Sequence, residues 1–206
     1  MSEIVVDYFY SHASPWAYLG HAAFLEMARR NGVKVAFRPV ALGPVFDETG
    51  GLPLGKRHPA RLRYRLIELQ RWHDKRHMPI NLQPAYFPFD PSLADRCAIA
   101  IQAAGRSPAE FSRRAFLGAF AYDKNVADDH VVEGMLGDAG EDGHAIFDAA
   151  KSDAVTAAYE QNKADAIAAG VVGSPCYVLN GEPFWGQDRI ELLEDAIRSG
   201  RHAYTA

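Results

Sequence analysis

Ser14-Pro15-Trp16-Ala17 is the stretch whose residue types and order lend themselves most directly to chemistry. Ser14 supplies a hydroxyl, and Pro15 fits the first position of a helix, where its missing N–H is no loss. The unpaired amides and the dipole at a helix start favour an anion there. Ser14 therefore either caps the helix alone or also holds a negatively charged ligand atom. A second chemical feature is a run of cations, Arg57, Arg61, Arg63, Arg65, Arg71, Lys75 and Arg76, which reads as a solvated face or as an anion-binding wall. His73 and His77 stand four apart, as two metal ligands on one helix face would. The Asp74-Lys75-Arg76 between them is no metalloenzyme pattern, and the cations would repel a metal, so no metal site is expected. Cys97 and Cys176 form no C-x-x-C motif. Cys97 sits among Ala94, Ala98 and Ile101 and reads as core; Cys176 reads as a small buried strand residue.

These groups need elements to position them. Residues 4–10 are β-branched and aromatic, as a strand requires. Tyr18, Leu19, Ala22, Leu25 and their neighbours then continue with helical spacing towards Gly32, so Ser14 marks the handover from strand to helix. Residues 33–38 alternate apolar and polar, a second strand, parallel to the first if the three form a βαβ unit. Residues 39–59 are rich in Gly and Pro and read as a long surface loop. Helical spacing returns over 59–77, with Leu62, Leu66, Leu69 and Trp72 on one stripe. A Pro- and aromatic-rich connection follows, then helices near 91–104, 108–122, 129–138 and 143–169, the last with a break near Ser152. Residues 176–179 and 183–185 are strands joined by Asn180-Gly181, a strong hairpin signal, and Asp188 is placed to cap a final helix.

The chain has 206 residues, 48% of them hydrophobic and 23% charged, an ordinary globular balance. A net charge of −4 makes nucleic acid an unsuitable partner. No apolar run approaches the ~18 residues that cross a membrane, and no secretory signal pattern is present at the N-terminus. Together with the two separate cysteines, this points to a reducing cytoplasm.

Two stretches carry a family likeness: Ser14 to Gly20, and Gly173-Ser174-Pro175 followed by Phe184-Trp185-Gly186-Gln187-Asp188-Arg189. Together they resemble the 2-hydroxychromene-2-carboxylate isomerase family, which is related to kappa-class glutathione transferases and, more distantly, to DsbA-like disulfide oxidoreductases. The resemblance implies an α/β fold, a thioredoxin-like domain (residues 1–40 plus 171–206) interrupted by a loop and all-helical insertion (41–170). It also implies glutathione as cofactor, a small aromatic carboxylate as substrate, and a homodimer.

Carried over by position, Ser14 stands where the oxidoreductases have their first active-site cysteine, and its hydroxyl donates to the glutathione thiolate. Ala17 stands at the second cysteine, so no dithiol–disulfide couple can form there. Pro175 matches the cis-proline of the fold, with the Ser174 backbone facing the cysteinyl unit. Gln187 and Asp188 match residues that hold the γ-glutamyl end, and Arg61 a cation for the glycyl or substrate carboxylate. Trp16, Tyr64, Tyr86, Phe87 and Trp185 either wall the substrate pocket or belong to the core. Two departures concern the substrate side: Leu52 or a neighbouring Gly stands where relatives often carry Asn, and Ser11 and His12 replace an acidic residue common before the Ser-Pro. The activity implied is cis–trans isomerisation by reversible thiolate addition. The alternatives are conjugation of an electrophile, as in a kappa-like transferase, and non-catalytic thiol binding.

Overall fold

A computed structural model describes residues 3–205 of the chain. Strand β1 (Val5–Tyr10) pairs in parallel with β2 (Lys34–Pro39), in register from Val5 opposite Lys34 to Tyr10 opposite Pro39. Helix α1 (Pro15–Arg30) makes the crossover between them. On its other side β1 pairs antiparallel with β3 (Cys176–Leu179), which pairs with β4 (Glu182–Trp185), giving a four-stranded sheet of order β2-β1-β3-β4. Asn180 (φ 52°) and Gly181 (φ 84°) are both left-handed, as the tight turn of a twisted hairpin requires.

Seven helices lie between β2 and β3. The first, α2 (Leu42–Thr49), and a 3₁₀ turn at Leu54–Lys56 occupy the segment expected to be a loop. Its Gly and Pro residues punctuate a helix: Pro44 lies in the first turn of α2, and Gly50 ends it at φ 75°. Val45 anchors α2 against Phe9, Val171 and Cys176 on one face of the sheet. Then come α3 (Pro59–Arg76), α4 (Ser92–Ala103), α5 (Ala109–Ala121), α6 (Asp129–Asp138), α7 (Gly143–Ala149) and α8 (Asp153–Ala168). The break before α8 falls at Ser152, whose Oγ caps it by accepting from the Val155 amide at 3.3 Å.

After β4 the chain makes a 3₁₀ turn (Gln187–Arg189) and ends in α9 (Ile190–Ser199). Asp188 does not cap α9 as expected. It lies inside the 3₁₀ turn, one residue before Arg189, which takes the capping position, and its carboxylate pairs with Arg189.

The main core runs without a break through both the sheet and the intervening helices. Tyr8 stacks on Tyr10 (ring centroids 4.5 Å) and on Tyr177 (5.4 Å) and tilts against Phe24 (4.8 Å). Phe116 of α5 meets Tyr10 at 6.1 Å, and Phe120 stacks on Tyr18 at 5.8 Å. Cys97 and Cys176 are both buried as free thiols, and burial pushes each up to about 12. Among the described residues, no helix is long and apolar enough to cross a membrane.

Candidate active site

Ser14 adopts an extended conformation (φ −100°, ψ 111°), so its side chain folds back over the first turn of α1. Its Oγ accepts from the Ala17 amide at 3.1 Å and donates to the Ser174 carbonyl at 3.0 Å. The Trp16 amide has no acceptor among the described residues. The Ser174–Pro175 peptide is cis. Ser174 is held from both ends of the turn that leads into α1: its Oγ accepts from the Ser11 amide at 3.1 Å, while its carbonyl takes the Ser14 hydroxyl. The Ser14 amide closes that turn on the Ser11 carbonyl at 3.0 Å. Rotating the single hydroxyl hydrogen of Ser14 is all that redirects it from Ser174 to a ligand.

Ser14, Trp16 and Ser174 open onto a cavity of about 410 Å³. Phe46, Phe87, Phe89 and Trp185 form its aromatic walls, and among the described residues Arg57 and Arg65 are the only charged side chains lining it. Neither arginine has a carboxylate within ion-pair reach among the described residues. Arg57 donates Nε–H to the Leu52 carbonyl at 2.7 Å, and the Arg65 guanidinium lies 5.6 Å from the Phe87 ring centroid. Burial first, and then the neighbouring cation, pull both below the usual arginine range: Arg61 acts on Arg57, and Arg57 on Arg65. Two partly desolvated guanidiniums with no counter-charge make a receptor for a carboxylate.

The residues singled out in the sequence divide sharply. Ser14, Trp16, Phe87, Ser174 and Trp185 meet at this cavity, with Pro175 directly behind Ser174. Arg61 does not line it and is exposed, whereas Arg57 and Arg65 do line it. Tyr64 is 57% exposed and lies outside the cavity, and Tyr86 belongs to a separate depression beside Asp123 and His130. Gln187 and Asp188 also lie elsewhere, in a mixed-charge groove between α1, the end of α3 and α9. Gln187 is buried there, its Oε1 accepting from Arg76 Nη2 at 3.0 Å. It packs so closely on Gly20 that a Cβ at residue 20 would fall 2.5 Å from the Gln187 Cβ. That contact is six residues along α1 from Ser14, roughly 9 Å of helix rise. His73 is turned onto the Met78 carbonyl at 2.6 Å.

Phe46 and Phe89 emerge only from the structure, as does Asp95 behind the site, and only the structure selects Arg57 and Arg65 from the run of cations. Asp95 did leave a trace in the sequence. It falls in the mostly apolar stretch 93–101, three and four residues before Ala98 and Ile99, the spacing that puts an acid on the inward face of a helix.

Residues 5–198 match the family model of the DSBA-like thioredoxin domain. A 2-hydroxychromene-2-carboxylate isomerase from Sphingobium xenophagum is 26% identical over 194 residues, 93% of this chain and 97% of that protein. One from Pseudomonas sp. (strain C18) is 25% identical over 195 residues, 94% of this chain and 90% of that protein. Among solved structures, a 2-hydroxychromene-2-carboxylate isomerase superposes with a TM-score of 0.80 at 22% identity, covering 95% of each chain. The cytosolic disulfide reductase DsbM from Pseudomonas aeruginosa, solved with GSH, superposes with a TM-score of 0.68 at 18% identity, covering 95% of this chain and all of that one (100%).

Proposed function

The chain belongs to the DsbA-like thioredoxin domain family, and from that premise we propose that it is a glutathione-dependent isomerase of a small aromatic carboxylate, as its named relatives imply. The observation that carries this reading is the pairing of a buried serine hydroxyl at a helix start with a cavity whose only charges, among the described residues, are two arginines without a carboxylate partner. Ala17 removes the second thiol that disulfide exchange would need, and Cys97 and Cys176 are buried away from the cavity.

Glutathione fits this donor set in part. Ser14 Oγ and the Trp16 amide would hold its sulfur, the Ser174 backbone its cysteinyl unit, and Arg57 or Arg65 a carboxylate. Gln187 Oε1 is already taken by Arg76 and is not available to it. When bound, glutathione supplies a sulfur nucleophile that can add to a conjugated carbon and leave again. Ser14 donates a hydrogen bond that, with the helix start, favours the ionised sulfur over the thiol, whose ordinary pKa is near ~8.5. The second arginine neutralises and orients the substrate carboxylate. Trp16, Phe46, Phe87, Phe89 and Trp185 exclude water and face the aromatic ring. Holding both reactants in one cavity makes the encounter effectively unimolecular.

The test is to mix the protein with glutathione and 2-hydroxychromene-2-carboxylate and follow the trans-benzylidenepyruvate by its absorbance. Interconversion that requires glutathione without consuming it supports the isomerase. Glutathione consumed into a stable adduct makes the protein a transferase instead, and no heat on titrating millimolar glutathione in a calorimeter refutes both.

A further inference from the structure

Asp95 is the only Asp, Glu, Lys or Arg side chain that is fully buried among the described residues. A buried carboxylate is costly unless its oxygens are well matched, and these are. Oδ1 accepts from the His12 amide at 3.0 Å and lies 2.7 Å from His12 Nδ1, while Oδ2 accepts from Tyr159 at 2.8 Å and, at the long end of the range, from Ser11 Oγ at 3.4 Å. Three of these four donors belong to the turn that ends at Ser14. His12 is boxed in by Phe116, Tyr10 and Phe111, with ring centroids 5.0, 5.3 and 5.8 Å away. The turn thus has one rigid anchor on α4, and from it run the Ser11–Ser174 and Ser14–Ser11 bonds that set the Ser14 hydroxyl. A carboxylate does reach this turn, although Ser11 and His12 replace the acid expected within it. It arrives from a different helix.

We infer that Asp95 is a positioning residue for Ser14, holding the 11–14 turn so that the helix start and the Ser14 side chain face the cavity. The inference rests on the glutathione reading only for its purpose; its geometry can be probed without that ligand. A bound sulfur tolerates displacement of its donors by only ~0.5 Å. Removing Asp95 frees four donors at once, three of them on the turn.

The test places a thiol where the hydroxyl is. In a Ser14→Cys variant of the full chain, the pH dependence of alkylation by iodoacetamide reads the thiol's ionisation, while Cys97 and Cys176 stay silent because burial pushes them up to about 12. Adding Asp95→Ala is expected to slow alkylation at neutral pH by roughly tenfold, a shift of about one pH unit upwards. Asp95→Asn, which keeps an acceptor for His12, restores most of the rate. A remote core variant of similar stability loss, Leu136→Ala, leaves the pH profile where it was. An unchanged profile in Asp95→Ala overturns the inference. So does a downward shift, which would mean that the Asp95 charge and not its anchoring governs the thiol. Should Asp95→Ala fail to fold, Tyr159→Phe removes the α8 bond to Oδ2 without touching the turn; a smaller upward shift supports the inference and no shift refutes it. Because no glutathione is present, a failed isomerase assay leaves this result standing.

Discussion

Two stretches of α1, less than two turns apart, are equally buried and differ in what their polar groups have left over. Ser14 and His21 are 4% and 2% exposed. His21 is fully spent: Nδ1 accepts from Tyr8 at 3.3 Å and Nε2–H donates to the Ala109 carbonyl at 3.0 Å. Beside it Gly20 closes onto Gln187, whose Oε1 is taken by Arg76. At Ser14 the Trp16 amide lacks an acceptor, the hydroxyl can be redirected by one rotation, and two arginines wait without a counter-charge. Burial alone does not mark a site; unmet hydrogen-bonding and charge capacity does. By that criterion the first turn of α1 keeps capacity for a ligand, while Gln187 Oε1 and His21 are committed to the fold.

Substitutions at the two stretches should therefore fail in different ways. Ser14→Ala should lower kcat/KM by roughly 10², as loss of a charge-assisted hydrogen bond to the reacting sulfur does, while stability falls by only about 1 kcal/mol for the lost cap. At His21 the expected effect is on stability. Burial lowers the His21 pKa to about 4, from 6.5 in the unfolded chain. The unfolded state then binds the extra proton between those values, so this stabilisation is complete above pH 6.5 and lost as pH falls towards 4. The loss attributable to His21 is roughly 3 kcal/mol. Urea unfolding at pH 7 and at pH 4.5 should show the drop, and His21→Gln should flatten it with little change in KM at neutral pH. Next in size, Arg57→Gln or Arg65→Gln should weaken substrate or glutathione binding by roughly tenfold, the value of one charge-assisted contact. Last, Arg61→Ala should leave binding within about twofold by calorimetry. An Arg61 effect equal to that of Arg65 would erase the distinction between lining and exposed cations.

How much of this was legible in the sequence follows from how local each signal is. Ser14-Pro15 and Asn180-Gly181 announced a helix start and a hairpin, because each is set by the backbone preferences of adjacent residues. The glycines and prolines of 39–59 were misleading, since the same residues punctuate helix ends and loops. What decided the matter was Val45 finding a buried place beside Phe9 and Cys176, a contact no local pattern reports. The site was half legible for the same reason. Ser14, Ser174 and Trp185 sit in short motifs, whereas the choice of Arg57 and Arg65 over Arg61 depends on how α3 lies across the cavity. Asp95 reaches His12 across 83 residues, beyond the range of any spacing argument.

The most direct test of the central claim is a crystal structure of the protein with glutathione. The predicted result has sulfur within hydrogen-bond distance of Ser14 Oγ and the Trp16 amide, with a carboxylate on Arg57 or Arg65. Sulfur lodged in the Gln187–Asp188 groove, or a Ser14 hydroxyl still turned to Ser174 with no ligand atom in reach, would contradict it.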